Sequence, residues 1–120
     1  MAKENKSKKS YCVYVIGLKP GVLTHKKFLR ENPDYQEGKP CYYVGYTSRS
    51  PEERAEQHRN AALNKNGKRL FNTYAHNYFD ELRPSKFRNI NPFDTVDEAK
   101  AAEKQLAEKL RKKGFGVWQK

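Results

Sequence analysis

Cys41-Tyr42-Tyr43-Val44-Gly45-Tyr46-Thr47 gives way almost at once to Ser50-Pro51-Glu52-Glu53-Arg54-Ala55-Glu56-Gln57-His58, and this junction decides the fold. The first stretch is aromatic, β-branched and apolar, the composition of a strand. The second opens like a helix. Ser50 is a good N-cap, Pro51 suits the first helical position because its missing N–H costs nothing there, and Glu53 completes the capping-box spacing. The pattern predicts a helix from Pro51 to about Leu63. Alternation along the strand puts Tyr43 on the face of Cys41 and Gly45. On the helix Arg54 and His58 are i, i+4 and share a face.

Working outward, residues 11–18 (Tyr-Cys-Val-Tyr-Val-Ile-Gly-Leu) read as an earlier strand, with Tyr14 on the face of Cys12 and Ile16, ended by Lys19-Pro20-Gly21. A long connection follows, with a short helix expected over residues 23–30 and turns at Asn32-Pro33-Asp34 and Glu37-Gly38-Lys39-Pro40. Downstream, residues 64–68 form a basic loop, and Leu70, Phe71, Tyr74 and Tyr78 at helical spacing predict a helix over residues 69–77. Leu82-Arg83-Pro84 breaks the chain, and residues 86–90 read as a short third strand. Thr95 and Glu98 cap the last helix, and Gly114 stops it after Arg111-Lys112-Lys113. Residues 115–118 are a final strand or a docked tail.

The bulk properties narrow the class. A chain of 120 residues makes one domain, here residues 11–120, preceded by a polar, lysine-rich stretch at 1–10 that reads as a disordered basic tail. The start has no apolar h-region, and no apolar run approaches the ~18 residues of a membrane span. A cytoplasmic or nucleoid-associated protein is expected, neither secreted nor membrane-bound. Cys12 and Cys41 fall within strands and read as reduced core residues; without a Cys-x-x-Cys pair, a zinc site has no anchor. The net charge of +11 favours a polyanion partner, since cations that neutralise phosphates release counterions.

Glu103 is the position where helical geometry is most telling. At ~100° per residue, Val96, Ala99, Leu106, Ala107 and Leu110 make one apolar stripe, and Glu103 lies along its centre. A carboxylate facing a core needs compensation. A buried ion pair with an arginine and a metal site both supply it, and spacing alone leaves the two open.

Taken together and in order, Cys12-Val13-Tyr14, Tyr43-Val44-Gly45, Arg54 with His58 four residues on, and Glu103 on a later helix resemble the GIY-YIG nuclease family. The resemblance implies a small α+β domain, a mainly antiparallel three-stranded sheet flanked by three or more helices. It also implies an endonuclease that hydrolyses DNA phosphodiesters with one Mg²⁺ or Mn²⁺, leaving 5′-phosphate and 3′-hydroxyl ends. In that scheme Tyr43 is the base or proton relay, Tyr14 positions water or phosphate, and Arg54 supplies positive charge. His58 takes up or relays a proton, and Glu103 binds the metal. The alternative is a non-catalytic nucleic-acid-binding module of the same fold.

DNA is the expected partner, with RNA left open and a protein partner invoked for specificity, because family members usually borrow theirs from attached domains. Arg59, Lys65, Lys68 and Arg69 form one candidate phosphate-binding cluster; Arg83, Lys86 and Arg88 form another. Phe71, Tyr74 and Tyr78 read as core packing rather than base-stacking residues. The chain departs from the family pattern in Cys12 for glycine, in its long first connection, and in Tyr46 where some members carry lysine. The asparagine that often follows the glutamate helix has Gln119 as its nearest counterpart.

Overall fold

The computed structural model describes residues 10–119; the tail expected at 1–10 lies, but for its last residue, outside the described residues. Strands β1 (Cys12–Leu18) and β2 (Cys41–Thr47) pair antiparallel along their whole length, from Cys12 opposite Thr47 to Leu18 opposite Cys41. β3 (Phe79–Leu82) adds antiparallel to the free side of β1, and β4 (Gly116–Gln119) adds parallel to β2. The sheet is therefore four-stranded and mixed, in the order β3-β1-β2-β4, rather than three-stranded and mainly antiparallel.

The expected strand at 86–90 does not form. Pro84 starts a 3₁₀ turn over Pro84–Lys86, and the chain continues in turns to Ile90. The pairing segment lies just before it, in Phe79-Asp80-Glu81-Leu82. Its two acids depress strand propensity, but they suit an edge strand, where exposed charge discourages pairing with another chain.

The helices are α1 (Lys26–Arg30), α2 (Pro51–Arg59), α3 (Thr73–Asn77) and α4 (Val96–Lys112). Both sequence-predicted caps are made: the Ser50 hydroxyl accepts from Glu53 N–H, and Thr95 and Glu98 form a full capping box. α2 stops before Leu63, the backbone turning at Ala61 with φ 52°. α3 starts later than expected. Asn72 caps it, its side chain accepting from Tyr74 and Ala75 N–H, while Arg69 bridges back to Leu63. The short helix foreseen at 23–30 is split between a 3₁₀ turn at Pro20–Thr24 and α1. Gly114 ends α4 as read, at φ +92°, a conformation that suits glycine. Among the described residues no helix is long and apolar enough to cross a membrane.

β4 is the strand least supported by pattern, and one buried side chain holds it. Asn32, only 3% exposed, donates from Nδ2 to Phe28 O (2.8 Å) and Val117 O (3.0 Å). Its Oδ1 accepts from Val117 N–H (2.7 Å) and from Arg111 Nε (3.3 Å). The amide meets both polar groups of Val117, as a neighbouring strand would, and satisfies them where water cannot reach. Arg111 reinforces the corner by donating to Val117 O and Gln119 Oε1.

Replacing Asn32 by alanine strands these buried groups and is expected to cost about 2–4 kcal/mol, read from urea denaturation.

Candidate active site

The β1–β2 register sets the site. Tyr14 faces Gly45 across the ladder and Tyr43 faces Ile16, so the two phenols are diagonal neighbours on one face, with ring centroids 6.1 Å apart. Gly45 makes that packing feasible: a Cβ there would fall 2.6 Å from the Tyr14 Oη and 2.8 Å from its Cζ. Tyr14 therefore lies across the glycine of the second strand. Cys12 sits two residues before Tyr14 on the same face, and its thiol is raised by burial and by the nearby Glu52 carboxylate.

α2 delivers His58 onto these tyrosines. The ring is fully buried, 5.9 Å from the Tyr14 ring centroid and 5.1 Å from that of Tyr43. Its Nε2 lies 2.9 Å from the Tyr14 Oη, and its Nδ1 accepts from the Asn72 backbone N–H at 2.9 Å. A backbone amide only donates, so Nδ1 carries no proton, and the neutral ring holds its proton on Nε2. His58 thus donates to the Tyr14 oxygen, beside which Tyr43 is the neighbouring phenol. The two phenols also influence each other, Tyr14 lowering the Tyr43 pKa and Tyr43 raising that of Tyr14.

Arg54 and Glu103 act on the same pair with opposite sign. Burial dominates, raising Tyr14 well above the usual phenol value and pushing Tyr43 up to about 12. The Arg54 guanidinium lowers both, and the Glu103 carboxylate raises both. Arg54 is held in place by donating to Gln57 Oε1 and to the Leu70 carbonyl just ahead of α3. Glu103 is 6% exposed, set among Ala99, Ala107 and Leu110 on the buried stripe of α4. The structure thus brings Tyr14, Tyr43, Arg54, His58 and Glu103 into one electrostatic neighbourhood.

The donor set fits one hard divalent cation. A buried carboxylate beside two phenols offers oxygen ligation, and Mg²⁺ characteristically takes one or two carboxylates and completes its shell with water and phosphate. Among the described residues no cluster of three His, Cys, Asp or Glu forms a closed cage. The arrangement suits an ion shared with an anionic substrate.

The two basic clusters are held by different partners. Lys65 and Lys68 are exposed on a turn built by the Asn64 side chain, which accepts from Asn66 and Lys68 N–H. Arg69 lies over the Phe71 ring, next to the Leu70 carbonyl that holds Arg54, and Arg59 pairs with Glu56. Arg69 thus adjoins the segment that holds Arg54, whereas Arg59 lines a groove with Asp80 and Glu81 at the β3 edge. Arg83 instead pairs with Asp80 and Glu81, its guanidinium lying over Gly17, and Lys86 sits over the Tyr42 and Phe115 rings. Gly17 and Tyr42 are opposite each other in the ladder and alternate away from the Tyr43 face. Arg88 is exposed just beyond.

Asn72 is the site residue that sequence reading missed. Its available signal was an asparagine ahead of Thr73-Tyr74-Ala75, an N-cap pattern. The cap fixes the local backbone whose N–H meets His58. Gln119, the nearest counterpart of the missing asparagine, is taken up by Arg111.

Gly45→Ala is expected to cost about 1–3 kcal/mol in thermal or chemical denaturation, because the fully buried Tyr14 must move. Adding Tyr14→Phe removes the nearest clashing atom and should recover part of that loss.

No curated protein and no solved structure matches the chain. The model of the GIY-YIG catalytic domain matches residues 10–116. A match over nearly the whole chain, on a fold that gathers the motif residues around two buried phenols, makes this protein a member of the GIY-YIG family, with a nuclease-type catalytic domain.

Proposed function

We propose that the protein is a divalent-metal-dependent endonuclease acting on DNA. Water attacks the phosphorus, the P–O3′ bond breaks, and the products carry a 5′-phosphate and a 3′-hydroxyl. The observation that carries this reading is the hydrogen-bond chain from Asn72 N–H through His58 to Tyr14, with Tyr43 the neighbouring phenol and both under the influence of Arg54 and Glu103.

The polarity of the chain assigns the roles. The donors run from Asn72 through His58 to the Tyr14 oxygen, and Arg54 and Tyr14 both lower the Tyr43 pKa, so negative charge is better accommodated on the Tyr43 oxygen. Tyr43 is the group that accepts the proton of the attacking water. Tyr14 positions that oxygen and shares its charge. His58 holds Tyr14 as a donor rather than serving as a proton sink, since Nδ1 is occupied by the amide. Arg54 favours the phenolate and, as a planar guanidinium, suits the phosphate oxygens. Glu103 would hold one Mg²⁺ or Mn²⁺, which when bound polarises the phosphate and stabilises the leaving oxygen. Lys65, Lys68 and Arg69, on the loop after the helix of Arg54, would hold the phosphate backbone and fix its register without reading sequence.

Cleavage of single-stranded, duplex and branched DNA, with Mg²⁺, Mn²⁺ or EDTA, is the decisive assay. Tyr43→Phe and Glu103→Ala are each expected to lower the rate at least about 100-fold while leaving the chain folded. EDTA should abolish cutting. DNA that is retarded yet intact under every condition would replace this reading with a binding module of the same fold.

The pH dependence has a definite sign. Tyr43 must be anionic to accept a proton, and its pKa lies far above neutrality, so the competent fraction grows about tenfold per pH unit. The logarithm of the single-turnover rate is expected to rise with a slope near one from about pH 6.5 to about pH 9. A falling limb there would remove Tyr43 as the base.

A further inference from the structure

We infer that the pocket lined by Lys27, Asn72, Thr73, Tyr74 and Trp118 is a subsite for one unpaired DNA base and its adjoining phosphate. The inference rests on the nuclease reading and deepens it, because the pocket adjoins the tyrosines and is built from chemistry that a paired base cannot use.

Position comes first. Trp118 is the ladder partner of Tyr43, one strand away at a spacing of about 4.8 Å. Both side chains lie on one face: a Cβ on Gly116, two residues before Trp118, would meet Cys41 Sγ and the Phe28 ring, on the Cys41 and Tyr43 side. Asn72, which lines the pocket, is also the donor to His58 Nδ1. Pocket and catalytic centre thus share a wall. A base seated on Trp118 places its backbone within a nucleotide or two of the Tyr43 oxygen.

The lining matches a nucleotide. Tyr74 meets the Trp118 indole edge-on at 4.8 Å and 88°, while the fully buried Phe28 stacks against it at 6.4 Å and 23°. The indole is therefore braced yet still partly exposed. Lys27, itself exposed, holds its ammonium 5.8 Å from the indole centroid. Lys27 lies over the ring that Phe28 stacks against, and an aromatic surface for a π-face with a mobile cation beside it is how single strands are gripped. The cavity, about 280 Å³, suits one base rather than a base pair.

Trp118 is the single tryptophan in the sequence, and its fluorescence reports this pocket alone. The wild-type chain, in EDTA, is titrated with a labelled single-stranded oligothymidylate, a duplex of equal length and an abasic strand of equal charge. Label anisotropy reads binding, and tryptophan emission reads stacking. Saturable quenching by the single strand, with binding but little quenching by the other two, is the expected result. Binding of the single strand without quenching overturns the subsite, as does equal quenching by the abasic strand.

Two variants carry the same test to affinity. Trp118→Leu should weaken single-strand binding about 5- to 150-fold and leave duplex binding unchanged. Lys27→Ala, at an exposed position that leaves packing intact, should weaken single-strand binding and reduce its salt slope by about one. Unchanged single-strand affinity in Lys27→Ala overturns the phosphate assignment. Metal-dependent cleavage without quenching would remove the subsite and keep the nuclease. Quenching without cleavage under any metal would do the reverse.

Discussion

The buried imidazole of His58 is the constraint around which the domain is arranged. One nitrogen is fixed by a backbone amide ahead of α3 and the other by a phenol on β1, while its own backbone belongs to α2. Three elements far apart in sequence are thereby tied to one ring. A fully buried polar group is tolerable only when its hydrogen-bonding capacity is met, so none of the three can drift without stranding it. The Asn72 cap, the Tyr14 orientation and the Gly45 clearance all follow from keeping that ring satisfied.

The electrostatics of the phenols are deliberately unresolved in the protein alone. Burial and the Glu103 carboxylate hold the protons on; Arg54 and the neighbouring Tyr14 draw the Tyr43 proton off. Burial wins, and Tyr43 stays neutral near pH 7. Neutralising the carboxylate with a cation removes one of the two opposing influences. In the proposed metal-dependent reaction, a site poised in this way stays quiet until a cation and an anionic substrate arrive together.

Much of this was legible from local chemistry. The two long strands declared themselves by composition, and α2 and α4 by their capping residues, because caps are local and nearly independent of tertiary context. Alternation placed Tyr14 with Cys12 and Ile16 and Tyr43 with Cys41 and Gly45, faces that the β1–β2 register then brought together, and periodicity placed Glu103 on an apolar stripe. What stayed hidden was set by distant partners. β3 contains two acids and is a strand only because β1 offers it an edge. β4 exists because Asn32, 85 positions earlier, completes its hydrogen bonding at Val117. Phe71 and Leu70 mimicked helical spacing, yet the Asn72 cap outcompeted them for the start of α3. The two basic clusters looked equivalent along the chain. They parted because one follows the helix of Arg54 while the other is folded over Gly17 and Tyr42 on the reverse of the sheet.

The outer margins of the sheet are finished in different ways. On one side Asp80 and Glu81 present exposed charge; on the other the Asn32 amide occupies the ladder position a further strand would take at Val117. Unpaired strand margins are templates on which other chains can grow. A strongly basic protein accumulates along polyanions, where neighbouring copies are crowded side by side. Blunting both margins lets such crowding raise local concentration while denying the copies a seam along which to join.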